Sequence, residues 1–162
     1  MLRRSKNKTK DNAAEPQAEA SGSGSGSGVV VAGDDADARE LLARVMARAG
    51  HGVEQVDAPA AAFDALTATP RLALLALFHG DRAVMLAQDV RAAADPGVAA
   101  VPIVVVADDD PTAQAATVAG ADGALTRPFH ADELTGELDA VLARSPEERA
   151  ASRDVAALRA ED

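Results

Sequence analysis

At 162 residues the chain can bury one ordinary hydrophobic core, so one domain with tails is expected. Apolar residues make up 48% and aromatics only 2%, which leaves Val, Leu, Ile and Ala to build the core, with Phe63, Phe78 and Phe129 as its only rings. The absence of cysteine excludes disulfides, thiolate metal sites and a cysteine nucleophile, and a net charge of −10 opposes binding to nucleic acid phosphate.

That charge is unevenly spread. Residues 1–20 carry five cations and three anions, which leaves −12 on the remainder. All three lysines (Lys6, Lys8 and Lys10) sit in this leader, and the rest of the chain uses only arginine. The basic start is followed by polar residues rather than an apolar run, so it does not read as a secretory signal, and no stretch approaches the ~20 apolar residues of a membrane helix. The expected location is the cytoplasm. Residues 21–28 (SGSGSGSG) read as a flexible linker, and the first 28 residues are expected to be disordered, the leader being a solvated tail rather than a tether.

From Val29 the pattern changes. VVVA (29–32) is a short β-branched run that ends at Gly33-Asp34-Asp35, a buried strand followed by a turn. Asp35 or Asp37 can cap the next helix, whose face would carry Leu41, Leu42, Val45 and Ala49 before Gly50 ends it. Residues 53–56 form a second, weaker strand. Pro59 opens an alanine-rich helix with Phe63 and Leu66, closed by Pro70. LALLAL (72–77) is a third apolar run, boxed between Pro70 and Gly80. Residues 82–94 read as helix with Leu86, Val90 and Ala93 inward, and Asp95-Pro96-Gly97 as a turn.

VPIVVVA (101–107) is the clearest buried strand. Asp110-Pro111 is expected to cap a helix ending at Gly120, and residues 124–126 form a fifth strand. Residues 131–143 give an amphipathic helix with Leu134, Leu138, Val141 and Leu142 on one face. A last helix over 146–160 follows a capping box from Ser145 to Glu148, with a thin apolar stripe of Ala151, Val155 and Leu158. Five apolar runs without polar alternation, interleaved with helices, predict a parallel sheet covered on both faces. Ligands and chemistry then collect at the carboxyl ends of the strands, at residues 33–35, 76–81, 107–110 and 127–128.

The stretches VVVAGDDADARELL, VPIVVVAD and AGADGALTRPF resemble the receiver domains of two-component response regulators, over roughly residues 29–143. The resemblance implies a flavodoxin-like (βα)5 fold with strand order 2-1-3-4-5, here in a domain spanning 29–144, with a helical extension over 145–162. It also implies a cis bond before Pro128. A working receiver needs two acids after the first strand and an acceptor aspartate after the third, which together hold Mg²⁺. It further needs a hydroxyl residue ending the fourth strand and a lysine ending the fifth.

At those positions this chain has Gly33, Asp34, Ala76, Ala107 and Arg127. A methyl group neither accepts a phosphoryl group nor ligates a metal, and Arg127 keeps the lysine's charge but not its compact geometry. Mg²⁺ is therefore not expected to bind tightly, no cofactor is expected, and the chain is not expected to be an enzyme. A shifted acceptor at Asp81 or His79, or a small-ligand or cation sensor with a loose site at Asp34, Asp35 and Asp108, is the alternative; Asp109 and Asp110 extend that acidic rim. His51 and His130 read as ordinary polar residues at helix boundaries. The resemblance implies protein partners (a histidine kinase, another regulator or a second copy) bound on the face running over residues 111–143, with no nucleic acid and no membrane span.

Overall fold

The structure is a computed structural model that describes residues 28–161; the leader and most of the linker lie outside the described residues. Five strands, β1 (Val29–Ala32), β2 (Val53–Val56), β3 (Ala73–Ala76), β4 (Ile103–Ala107) and β5 (Gly123–Thr126), form one sheet in the order β2-β1-β3-β4-β5. Every pairing is parallel, with Ala32 beside both Val56 and Ala76, and Ala107 beside Thr126. The sheet bonding begins one residue before β1, since the Gly28 carbonyl accepts from the Leu72 amide at 2.9 Å.

The helices are α1 (Ala36–Arg48), α2 (Pro59–Ala68), α3 (Arg82–Arg91), the one-turn α4 (Pro96–Ala99), α5 (Asp110–Ala119), α6 (Ala131–Ala143) and α7 (Pro146–Glu161). Alternate strand residues point to opposite faces. Val30, Ala32, Leu74, Ala76, Ile103, Val105 and Ala107 therefore meet α2, α3 and α5, while Val29, Val31, Leu75, Leu77, Val104 and Val106 meet Leu42 and Met46 of α1 and Leu134, Leu138 and Val141 of α6. Because β1, β3 and β4 are covered on both sides, they read as continuous apolar runs.

Four local expectations are corrected. The 95–97 turn is the start of α4, because the Asp95 carboxylate accepts from the Gly97 amide at 2.8 Å and nucleates one helical turn. Helix α3 stops at Arg91, capped at Ala92, and residues 92–95 form the connection to α4. The cap of α5 is Asp109, which holds extended backbone and accepts from the Thr112 amide at 2.9 Å; Asp110 is already helical. On α1 the buried residues are Leu42, Ala43 and Met46, and Leu41 is turned outward, 54% exposed.

Helix α7 has too thin an apolar stripe for the sequence to settle its packing, and the structure fixes it. Its capping box forms as expected, with the Glu148 amide on Ser145 Oγ and the Ser145 amide on Glu148 Oε1. The helix then packs on α5. It turns Arg149, Ala150, Arg153, Ala156 and Ala157 inward and leaves Ala151, Val155 and Leu158 in solvent. Arg153 fixes that orientation: its Nη1 donates at 2.6 Å to Oδ1 of Asp122, a side chain only 1% exposed. Oδ2 of the same carboxylate accepts from Arg91 Nη2 at 2.6 Å and from the Ile103 amide at 2.9 Å. A charge is tolerated inside only when paired and hydrogen-bonded, and Asp122 has both its oxygens filled. Burial holds the Arg91 guanidinium down, to about 10, against the pull of Asp122.

Candidate functional site

The carboxyl edge of the sheet gathers the residues expected there. β1 leaves the sheet through Gly33, whose amide bonds the Val56 carbonyl at 3.1 Å and whose carbonyl accepts from Arg39 Nη1 at 2.8 Å. Asp34 follows, its side chain mostly buried. β3 ends at Ala76, where the methyl is 1% exposed and lies in the apolar cluster with Ala32, Ala107 and Phe78. Leu77 continues the chain with its amide on the Ala32 carbonyl at 2.9 Å. Ala107 ends β4 just as deeply buried. From the end of β5, Arg127 reaches back, its amide on the Ala107 carbonyl at 3.0 Å and its Nη2 on the Leu77 carbonyl at 3.2 Å.

Above this methyl-lined floor stands a row of alternating acidic and basic side chains. Arg82, the first residue of α3, pairs with Asp34, and its guanidinium lies 5.6 Å from the centre of the Phe78 ring. His79 sits between two acids, with Nε2 3.9 Å from Asp34 Oδ1 and Nδ1 3.0 Å from Asp108 Oδ2. Asp108 in turn pairs with Arg127. The hydrogen bond from His79, helped by Arg127, holds the Asp108 carboxyl below the usual aspartate range. Each acid thus has a cation from a different element against it, so the strand ends are tied together by the protein's own positive charges.

The donor set does not fit the Mg²⁺ that a receiver's acids hold. Magnesium requires several oxygen ligands in near-octahedral array. The edge offers glycine and alanine at two of the three acid positions, and the remaining carboxylate already faces Arg82. The acids Asp34, Asp35 and Asp108 do not converge either. Asp35 caps α1 by accepting from the amides of Asp37 and Ala38 at 3.0 and 3.3 Å, while Asp34 and Asp108 hold arginines. Among the described residues, no three His, Cys, Asp or Glu side chains gather at metal-binding spacing.

Asp81 stands at the head of α3 without a side-chain bond to the helix. His130 occupies the cap position of α6, where Glu133 Oε1 accepts its amide at 2.7 Å, and His51 lies beyond the far end of α1, its amide on the Met46 carbonyl. The bond joining Arg127 to Pro128 is cis. Two residues escaped the sequence reading: Arg82 as the partner of Asp34, and His79 as the link between the acids. Hydrophobic periodicity carries no signal for either, since both contacts join residues far apart in the chain.

No family model matches the chain, and no curated relative does. Solved structures do, and receiver domains are among them. A proposed response regulator of Chloroflexus aurantiacus is 25% identical, with a TM-score of 0.67 over 74% of this chain and 100% of that one. The receiver domain of NtrX from Brucella abortus is 21% identical, with a TM-score of 0.64 over 72% of this chain and 99% of its own length. The receiver domain of a sensor histidine kinase from Pseudomonas aeruginosa is 17% identical at a TM-score of 0.66, covering 74% of this chain and 100% of that one; that structure has a magnesium ion coordinated in its active-site cleft. The sheet order and flanking helices of this chain are those of the receiver, flavodoxin-like fold.

Proposed function

We propose that the chain is a receiver-type module of two-component signalling that works without aspartyl phosphorylation, as an adaptor that binds protein partners. One observation carries this. Where a phosphorylated receiver concentrates carboxylates around a metal, this edge has Gly33 and Ala76, and its Asp34 and Asp108 carboxylates pair with Arg82, His79 and Arg127. Phosphoryl transfer relies on a positioned nucleophile and on metal neutralising the developing charge, and this edge offers neither. The module is a binder rather than an enzyme, acts in the cytoplasm, and takes no Mg²⁺.

Partner binding falls to the face of α5, β5 and α6, over residues 111–143. Part of the α5 flank is already covered by α7, which leaves β5, α6 and the outer side of α5 for a histidine kinase, another regulator or a second copy. Among the described residues no helix is long and apolar enough to cross a membrane. Incubation with Mg²⁺ and a small phosphoryl donor, followed by intact-mass measurement, tests the proposal. An unmodified chain is expected, and a phosphoryl adduct on any aspartate overturns it.

A further inference from the structure

Two of the exposed apolar features among the described residues sit on different parts of the molecule. The first is a groove of about 490 Å³ between α1 and the start of α6, floored by Leu42, Leu77 and Val106, walled by Phe129 and rimmed by the exposed Leu41. The second is the outer stripe of α7, where Val155 is 47% and Leu158 63% exposed. A free amphipathic helix would rotate its apolar side inward. α7 does not, because Arg153 is anchored on the buried Asp122. That anchor also keeps α7 beside α5, on the opposite face of the sheet from α1, so the stripe cannot reach the groove of its own chain.

We infer that the α7 stripe of one copy docks in the α1–α6 groove of a second copy, giving a head-to-tail contact. The spacing of Ala151, Val155 and Leu158 is that of a helix laying one face into a groove. The charges match. The exposed side of α7 carries Glu147 and Asp154 beside the stripe, whereas Arg127 and His130 line the groove. Opposite charges at the rim set register and encounter, while the apolar contact supplies the attraction. The −12 carried outside the leader opposes association, so the contact is weak and concentration-dependent. Stripe and groove are different surfaces, so the contact is heterologous and leaves a free stripe at one end and a free groove at the other. It is independent of whether the acidic edge accepts a phosphoryl group.

Sedimentation of the full chain over a wide concentration range tests this, with Leu158→Asp and Leu41→Asp as variants; both sites are exposed, and circular dichroism checks the fold. The wild type is expected to gain mass with concentration, and each variant alone to stay monomeric. An equimolar mixture of the two is expected to form a one-to-one complex that grows no further, because only one stripe and one groove remain intact between them. A wild type that stays monomeric throughout overturns the inference. So does loss of assembly with Leu158→Asp but not Leu41→Asp, which would mean that the stripe pairs with itself, and so does assembly that survives both substitutions.

Discussion

Leu77 lies across the backbone of Gly33 so closely that a Cβ built on the glycine would stand 2.6 Å from Leu77 Cγ. The space that an acid at the end of β1 would leave through is filled by a buried leucine from the end of β3. Restoring a carboxylate there is therefore a packing problem as well as a chemical one. Gly33→Asp is expected to cost about 1–3 kcal/mol in urea denaturation through overpacking. The cost should shrink in a Leu77→Ala background, and equal costs in both backgrounds would show that the two residues are not coupled.

Arg153 is expected to decide where α7 sits. Arg153→Ala removes a charge-assisted hydrogen bond, leaves Asp122 with Arg91, and should weaken docking by about 1.5–3 kcal/mol. Hydrogen exchange should accelerate over residues 146–161 while the strands stay protected. Asp122→Ala should be worse, about 3–5 kcal/mol, because it strands the buried Arg91 without its counter-charge. A docked, protected α7 in the Arg153→Ala variant would contradict the anchor.

The Asp108 carboxyl is held down first by the His79 hydrogen bond and then by Arg127. A folded-state pKa below the unfolded one stabilises the protein above the unfolded value, and that stabilisation is lost as the pH falls through the folded value. The side chain is about half exposed, so solvent screening keeps the contribution small. The clearer readout is the carboxyl titration itself, followed by NMR. His79→Ala is expected to move the Asp108 midpoint upward, toward the ordinary aspartate value, and an unchanged midpoint would remove the histidine from the charge row.

How far the fold could be read from sequence differs from element to element. VVVA, LALLAL and VPIVVVA announce themselves because strands buried on both faces need no polar alternation. Gly50 and Gly120 close their helices at positive φ, as their positions after apolar faces suggest. The identities at the sheet edge were legible through the resemblance to receivers, which assigns Gly33, Asp34, Ala76, Ala107 and Arg127 to positions that lie at or just after strand ends. What periodicity does not carry is a bond between residues distant in the chain. Asp122 and Arg153 are 31 positions apart, and a hydrophobic count on α7 selects Val155 and Leu158, whereas a single buried carboxylate reverses the side that docks. For the same reason the pairing of Asp34 Oδ2 with Arg82 is not legible in the sequence, nor is the burial of Asp34 Oδ1 without a hydrogen-bond partner.

The row of charges at the sheet edge makes a further prediction. If Arg82 takes the place of a bound cation beside Asp34, then Arg82→Ala leaves a mostly buried carboxylate without its partner. Thermal stability should fall in that variant and be partly recovered by millimolar Mg²⁺, which should do nothing for the wild type. Equal responses of the two proteins to Mg²⁺ would contradict the role given to Arg82.

The most direct test is an amide NMR titration of the full chain, first with Mg²⁺ and then with beryllofluoride, a mimic of the phosphoryl group. The resonances of Asp34, Ala76 and Arg127 are predicted to stay in place at millimolar concentrations of both. Shifts at those residues that spread together into α6 would contradict the account, because they would mean that another carboxylate, Asp81 first, has taken the acceptor's role.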